Sequence, residues 1–440
     1  VSSQQIQSFI DAYRRQENYY RDLAQTVERL LESQLDAQGV RALVTARSKS
    51  VERLRGKLEQ RNAAKSYKTH DEIRADIRDL AGVRVALYFP SDITSVESIM
   101  EAFFRIDRRD ELPKSDTHPY GRLPGYCALH YCVRLKPELS EKLDARYLQD
   151  PVEVQVATVF MHAWAEVEHD LRYKPTTGVL SAEELLILEQ LNGLALTAET
   201  SLRNLQAAIT RRASEKEAAL ENHFELAALL SKLAEDRSPE LAKMPMGRAD
   251  VLYYFLAELG KLSVTDVTTL FNSVTYNDED RSTVDGLVDH LLAEDDSRAE
   301  TFANARESAG PGNPYEPMGE SEDTRGEVRF LRLWRLAEIA SAALLPEQTI
   351  AIKRSFVANR RELQSHLLRL GTPEATELLN ILQSLDPARY IRNSFVHGGM
   401  VIQNDLLESE SRKLQAYITK ALDFIDQDQR LLIQNLLRSL

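Results

Sequence analysis

The sequence has no apolar run approaching the roughly 20 residues that a helix needs to cross a bilayer, so no membrane span is expected. Its first residues, VSSQQIQSFIDAYRRQ, lack the apolar centre of a secretory signal, and a cytoplasmic protein is the expectation. Cysteine is scarce. Cys127 and Cys132 are the only two, and they fall in one expected strand at a spacing that points them to opposite faces. That disfavours a disulfide between them, and no cysteine pattern for a metal is present. Positive charge is in deficit: 55 Lys and Arg face 68 Asp and Glu, for a net charge of −13. A protein that coats nucleic acid by bulk attraction is thereby disfavoured, and any anion site must be a local basic patch in an acidic molecule. What is present is an ordinary apolar content of 43%, which excludes wholesale disorder, over 440 residues, enough for two or three domains.

Residues 3–35 show apolar side chains at helical spacing (Ile6, Phe9, Ile10, Tyr13, then Leu23, Val27, Leu30, Leu31), and Gly39 follows as a stop. A second helix is expected from Ser48 or Ser50 to about Asn62. The period then changes. VRVALYF (83–89), CALHYCVRL (127–135) and VEVQVAT (152–158) are short, β-branched or aromatic, and read as strands. Helices are expected over 93–106 and 159–173. The strand signal vanishes from 181 onward, leaving helical patterns over 181–235, 248–305 and 327–440. Residues 308–326, rich in Gly, Pro, Ser and acid, read as a linker. The expected organisation is an α+β domain over 1–178, a helical extension over 179–307, the linker, and an all-helical domain over 327–440. No internal repeat is visible.

The first domain carries the sharpest constellation. Residues 41–61 contain Arg41, Arg47, Lys49, Arg53, Arg55, Lys57 and Arg61 against only Glu52 and Glu59. Lys49, Arg53 and Lys57 are spaced to share one helix face, along which a triphosphate could lie. A basic stripe by itself is more often a solvated face. Asp79 precedes a strand start, and Glu153 lies within VEVQV. Either alone reads as a turn residue or the polar half of a strand, but phosphoryl-type transfer needs a hard cation held by one or two such carboxylates. In Arg122-Leu-Pro-Gly125-Tyr126-Cys-Ala-Leu-His130, Gly125 permits close backbone approach and Tyr126 can stack on a base, with His130 on the same strand face. His162, Glu166 and His169 fall near one face of a helix, but HAWAEVEH lacks the HExxH order of a zinc protease.

The series DLAGVRV, PGYCALH, VEVQVAT and MHAWAEVEHDLRYK resembles the synthetase domain of RelA/SpoT-type enzymes, small alarmone synthetases included, over roughly residues 20–175. The resemblance implies a nucleotidyltransferase-like mixed sheet with flanking helices. It also implies transfer of pyrophosphate from ATP to the ribose 3′-hydroxyl of GDP or GTP, with release of AMP. By the same resemblance Asp79 and Glu153 hold Mg2+, with Glu153 a candidate base. Arg47, Lys49 and Lys57 bind the ATP phosphates. Tyr126 stacks on the acceptor base beside Gly125, with Arg122 (where Lys is usual) and His130 near the acceptor phosphates and His162 near the acceptor base. Two positions depart from the family pattern: Arg53 stands where Ser is usual and Ala157 where Arg is usual, so either Arg53 supplies the charge missing at 157 or the ATP site is weakened or retuned. The acceptor is left open among guanine nucleotides, adenine nucleotides and the 3′ end of tRNA. Nothing resembles the hydrolase domain found beside many members.

Near the other end, Arg392-Asn393-Ser394-Phe395-Val396-His397 resembles the R-N-x-x-x-H motif of HEPN domains, all-helical modules that often cut RNA as dimers. The motif is short, and a polar helix end with a capping Asn is the plainer reading. Three expectations follow. The first is a Mg2+-dependent pyrophosphokinase using ATP and a guanine nucleotide, working as a homo-oligomer away from membranes. The second is a toxin or defence effector acting on tRNA or other RNA. The third is a nucleotide-sensing module that has lost catalysis.

Overall fold

The structure, a computed structural model, describes residues 2–112, 127–137, 143–173, 180–214, 219–276, 282–295, 298–310, 312, 314, 324–345, 356–397 and 404–438. The chain divides into two compact units, Val1–Asp250 with Asn313–Tyr315 and Val251–Gly312 with Glu316–Leu440. In the first unit the elements run α1 (Ser2–Ala37), β1 (Ala42–Ser48), α2 (Val51–Lys65), α3 (His70–Asp76), β2 (Ala81–Leu87), α4 (Ile93–Phe103), β3 (Phe104–Leu112), β4 (Ala128–Leu135), β5 (Val152–Thr158), α5 (Val159–Tyr173), α6 (Ala182–Ser214), α7 (His223–Arg237) and α8 (Pro239–Ala242).

The five strands form one mixed sheet in the order β1-β2-β5-β4-β3. β2 and β5 are parallel, and the other three pairings are antiparallel. Strand alternation sorts the side chains into two faces. Val83 and Val85, Tyr131 and Val133, and Val152, Val154 and Val156 pack with Leu23, Val27 and Leu30 of α1 in the main core. The opposite face carries Arg84, His130, Glu153 and Gln155. The register sets Gly82, Glu153 and Cys132 at one level, and Arg84, Gln155 and His130 at the next. Further along this face Ala128 and Ala157 are covered by Met161 and Trp164 of α5 and by Leu188 and Ala195 of α6.

The mixed sheet with flanking helices, followed by a helical C-terminal half, is the architecture expected. Two strands were not. Residues 42–48 form β1 and not part of a basic helix, so Arg47 is a strand residue and Lys49 lies before α2, off its face. The expected helix over 93–106 stops at Phe103, and 104–112 form β3. Both missed strands are sheet edges. An edge strand is guarded by charge, so FRIDRRDEL shows alternating ions and not an apolar period. Cys127 precedes β4 and is exposed, Cys132 is buried within it, and the two are not joined in a disulfide.

The second unit is helical among its described residues: α9 (Ala249–Glu258, starting at the boundary), α10 (Val264–Ser273), α11 (Thr283–Glu294), α12 (Arg298–Ala309), α13 (Thr324–Ala343), α14 (Phe356–Leu370), α15 (Pro373–Gln383), α16 (Asp386–His397), α17 (Asn404–Ala421) and α18 (Gln427–Arg438). Phe302 meets Phe255 edge-on, and buried Ser341 and Tyr417 share a hydrogen bond of 2.8 Å. Among the described residues no helix is long and apolar enough to cross a membrane.

Candidate active site

The polar face of the sheet gathers charge at the start of β2 and β5. Lys49 links β1 to α2, and its N–H donates to the Leu80 carbonyl at 3.0 Å. Ser50 then caps α2, accepting from the Arg53 N–H at 3.3 Å. α2 is tied to the end of α3 by Asp76, which takes Arg61 at 2.8 Å, Lys65 at 2.5 Å and the Tyr67 hydroxyl. Burial alone would raise the Asp76 carboxyl, but these donors outweigh it and hold it at about 2. The clamp delivers Asp79, three residues on, beneath α2.

Asp79 is the centre of the cluster. Its Oδ2 accepts from Lys49 Nζ at 2.5 Å and Lys57 Nζ at 2.8 Å. Its Oδ1 is buried with no hydrogen-bond partner. Burial pushes the carboxyl up, and the two ammonium groups more than reverse that, so it stays ionised. Burial lowers Lys49 despite Asp79, with Lys57 adding to the effect. Glu153, two strands from β1, accepts from Gln155 Nε2 at 2.8 Å through Oε2, and its Oε1 stands 3.9 Å from His130 Nδ1.

Arg47 is half-buried. Desolvation and then the neighbouring Arg84 hold its pKa below the usual guanidinium range. Arg84 donates to Glu166 of α5 at 2.5 Å, and this bond is the main reason the Glu166 carboxyl is lowered. Arg53 is close enough to act electrostatically on both Arg47 and Glu166. His162 donates Nε2–H to the Val85 carbonyl at 3.1 Å. Burial, reinforced by Arg84, lowers it from 6.5 to about 4, so its ring is neutral near pH 7.

The fold therefore brings together Arg47, Lys49, Arg53, Lys57, Asp79, His130, Glu153 and His162. Arg122, Gly125 and Tyr126 lie outside the described residues. Arg84 and Glu166 join the site without having been singled out as members of it. The signal for Arg84 was its place two residues after Gly82 on the same strand face. Ala157 has a structural reason: it is 3% exposed beneath Trp164 and α6, which leaves no room for a guanidinium. In the second unit Arg392 is ion-paired with Asp289 of α11. Asn393 and His397 lie in α16, but their side chains are outside the described residues.

Asp79 and Glu153 suit a hard divalent cation in donor chemistry, and the partnerless Asp79 Oδ1 is an acceptor of the right kind. Among the described residues no group of three or more His, Cys, Asp or Glu forms a protein cage. Such a cation would complete its shell with phosphates and water, which is the habit of Mg2+.

Five cationic groups and three carboxylates thus meet at the mouth of two parallel strands in a chain whose net charge is −13. Clustered guanidinium and ammonium groups of this kind suit an anionic ligand. Residues 46–178 match the family described as the region found in RelA / SpoT proteins. They form a RelA/SpoT-type domain. The chain is 29% identical over 132 residues to GTP pyrophosphokinase YwaC of Bacillus subtilis, covering 29% of this chain and 57% of that protein. It is 32% identical over 101 residues to GTP pyrophosphokinase YjbM of the same organism, covering 22% and 43%. The chain thus spans about half the length of the curated relatives it matches. Among solved structures it is similar to small alarmone synthetase 1 from Bacillus subtilis, at 22% identity and a TM-score of 0.36 over 46% of this chain and 99% of that one. A GTP pyrophosphokinase family protein from Streptococcus pneumoniae has the same identity and TM-score, over 51% and 96%. α1 and α6 flank the RelA/SpoT-type domain and lie outside the matched residues.

Proposed function

We propose that this chain is a Mg2+-dependent pyrophosphotransferase that moves pyrophosphate from ATP to the ribose 3′-hydroxyl of a guanine nucleotide. The observation that carries the reading is Asp79 held between Lys49 and Lys57 on the sheet face that also presents Glu153. Both matched curated relatives are named GTP pyrophosphokinases, which supports the choice of reaction.

Arg47, Lys49, Lys57 and Arg84 neutralise and align the ATP phosphates, and Arg53 adds charge at the rim. Asp79 holds Lys49 and Lys57 and Glu166 holds Arg84, so these partly buried cations need little rearrangement as negative charge redistributes. Mg2+, when bound at Asp79 and Glu153, supplies Lewis-acid stabilisation of the phosphate oxygens. Glu153, whose Oε1 lies 3.9 Å from His130 Nδ1, takes the proton of the acceptor hydroxyl in this reading. His162, with Nε2 committed to Val85, acts as a neutral ring that shapes the acceptor side.

The test is incubation of the full chain with Mg2+ and ATP labelled at its γ-phosphate, offering GDP, GTP, adenine nucleotides and tRNA in turn. Label on GDP or GTP with equal release of AMP supports the reading. Release of ADP, or intact ATP with every acceptor, overturns it. Label on tRNA keeps the transfer but moves the acceptor. The RNA-cutting alternative is disfavoured by Arg392, which is engaged by Asp289.

A further inference from the structure

We infer that α1, which lies outside the RelA/SpoT-type region, is a splint for the ATP side of the site, and that Tyr13 is a positioning residue acting through Lys49. The inference rests on the proposed reading of that site and adds to it an element that the matched residues do not contain.

Three bonds reach from α1 to the run that carries the cationic side chains. Glu28 Oε1 accepts from the Ala46 N–H at 2.9 Å. The Tyr13 hydroxyl donates to the Lys49 carbonyl at 2.5 Å. Gln7 Oε1 accepts from Arg55 Nη1 at 3.0 Å. The middle bond has the most consequence. Lys49 sits between the end of β1 and the capping residue of α2, so its carbonyl has no partner in either element's own pattern. Tyr13 supplies one. With the N–H of Lys49 already given to Leu80, both backbone groups of this residue are fixed. A fixed backbone is what allows the long, rotamer-rich lysine side chain to hold its ammonium on Asp79 at 2.5 Å.

Tyr13 is built to do this. Its ring is 2% exposed and stacks on Tyr20 with centroids 5.3 Å apart. A buried phenol needs a hydrogen-bond partner. Burial, aided by Glu17, raises its pKa, so it remains a donor throughout the useful pH range. The plainer reading is that Tyr13 merely satisfies its own hydroxyl. The two readings differ in what the loss of that oxygen does to the site.

Tyr13→Phe keeps the ring and removes the oxygen. Tyr19→Phe is the control: on the same helix, its hydroxyl contacts the Arg146 carbonyl and Asp150 Oδ2, both at 2.8 Å and away from Lys49. Binding of the non-hydrolysable analogue α,β-methylene-ATP with Mg2+ is measured on the full chain, together with kcat and the separate KM values. Y13F is expected to bind the analogue about tenfold more weakly, the scale of one ordinary hydrogen bond, with the acceptor KM unchanged. Y19F is expected to stay within about twofold of wild type in binding while losing a similar amount of thermal stability. Equal losses of analogue binding in both variants, or a Y13F defect confined to stability, would overturn the inference. If Y13F does not fold, Glu28→Ala tests the same splint at Ala46; about threefold weaker analogue binding is expected there, and wild-type affinity counts against it. A wild-type chain that binds the analogue but transfers nothing defeats the proposed reaction and leaves the splint standing. One that does neither defeats both.

Discussion

Asp79→Asn separates the fold from the chemistry more cleanly than any other single change. The substitution keeps shape and volume but leaves Lys49 and Lys57 facing a neutral amide. Their side chains are 15% and 29% exposed, and Asp79 is 15% exposed, so solvent compensates only in part. Removing one member of a buried ion pair costs about 3–5 kcal/mol, and the exposure of Lys57 sets the expectation near the lower end, about 3 kcal/mol. For a unit of this size that is a fall of about 6–12 °C in midpoint. The chain has two tryptophans, Trp164 in the first unit and Trp334 in the second, so a Trp334→Phe background makes fluorescence report the first unit alone. Pyrophosphate transfer should fall at least about a thousandfold, because a Lewis-acid site supplies several kcal/mol to the transition state. Adding Lys57→Met to Asp79→Asn should cost little more, since that ammonium has already lost its partner. An unmoved midpoint would refute the Lys49–Asp79–Lys57 arrangement. A lowered midpoint with transfer intact would refute the role of Asp79 in metal binding while leaving the ion pairs in place.

Two further predictions concern protons and the second unit. His162 is held at about 4 in the folded chain against 6.5 when unperturbed, so the unfolded chain binds the extra proton between those values. The neutral ring's contribution, about 3 kcal/mol when complete, is present above pH 6.5 and is lost as pH falls toward 4. His162→Gln, which keeps a donor for the Val85 carbonyl, should flatten the acid fall of the Trp164 midpoint; parallel pH slopes in the two proteins would refute this. Arg392→Ala and Asp289→Ala should each destabilise the second unit by about 3 kcal/mol, read by Trp334 in a Trp164→Phe background, with the double variant little worse than either. An unchanged midpoint for Arg392→Ala would free that guanidinium for RNA chemistry.

Much of this fold was legible because the central strands obey a simple rule. VEVQVAT alternates, and its valines enter the core while Glu153 and Gln155 take the other face. The α1 stripe was equally plain, because Ile6, Phe9, Ile10 and Tyr13 are all buried. The edge strands were not legible, for the reason that makes them edges. β3 has one neighbour and exposes most of its side chains, so its sequence records protection from other strands and not burial. Cross-element partners escaped in the same way. Nothing in the spacing of Arg84 and Glu166, or of Tyr13 and Lys49, announces that helix and strand will meet.

Lys49 shows how a correct residue can be reached through an incorrect element. Charge spacing placed Lys49, Arg53 and Lys57 on one helix face. Only Arg53 and Lys57 are helical, and they diverge: Lys57 turns inward to Asp79, while Arg53 stays exposed at the rim near Glu166. Lys49 meets the same Asp79 oxygen from the end of β1, because Leu80 and Tyr13 fix its backbone there. Two lysines converging on one carboxylate from different elements tie the end of β1 and α2 to the same point, which a row along one helix would not do. Apolar packing closes position 157 to charge. That position lies under Trp164 and α6, whereas Arg53 of α2 is exposed. A guanidinium reintroduced at 157 would have to displace apolar packing before it could reach a phosphate, so on this backbone the cationic rim has to be built from α2.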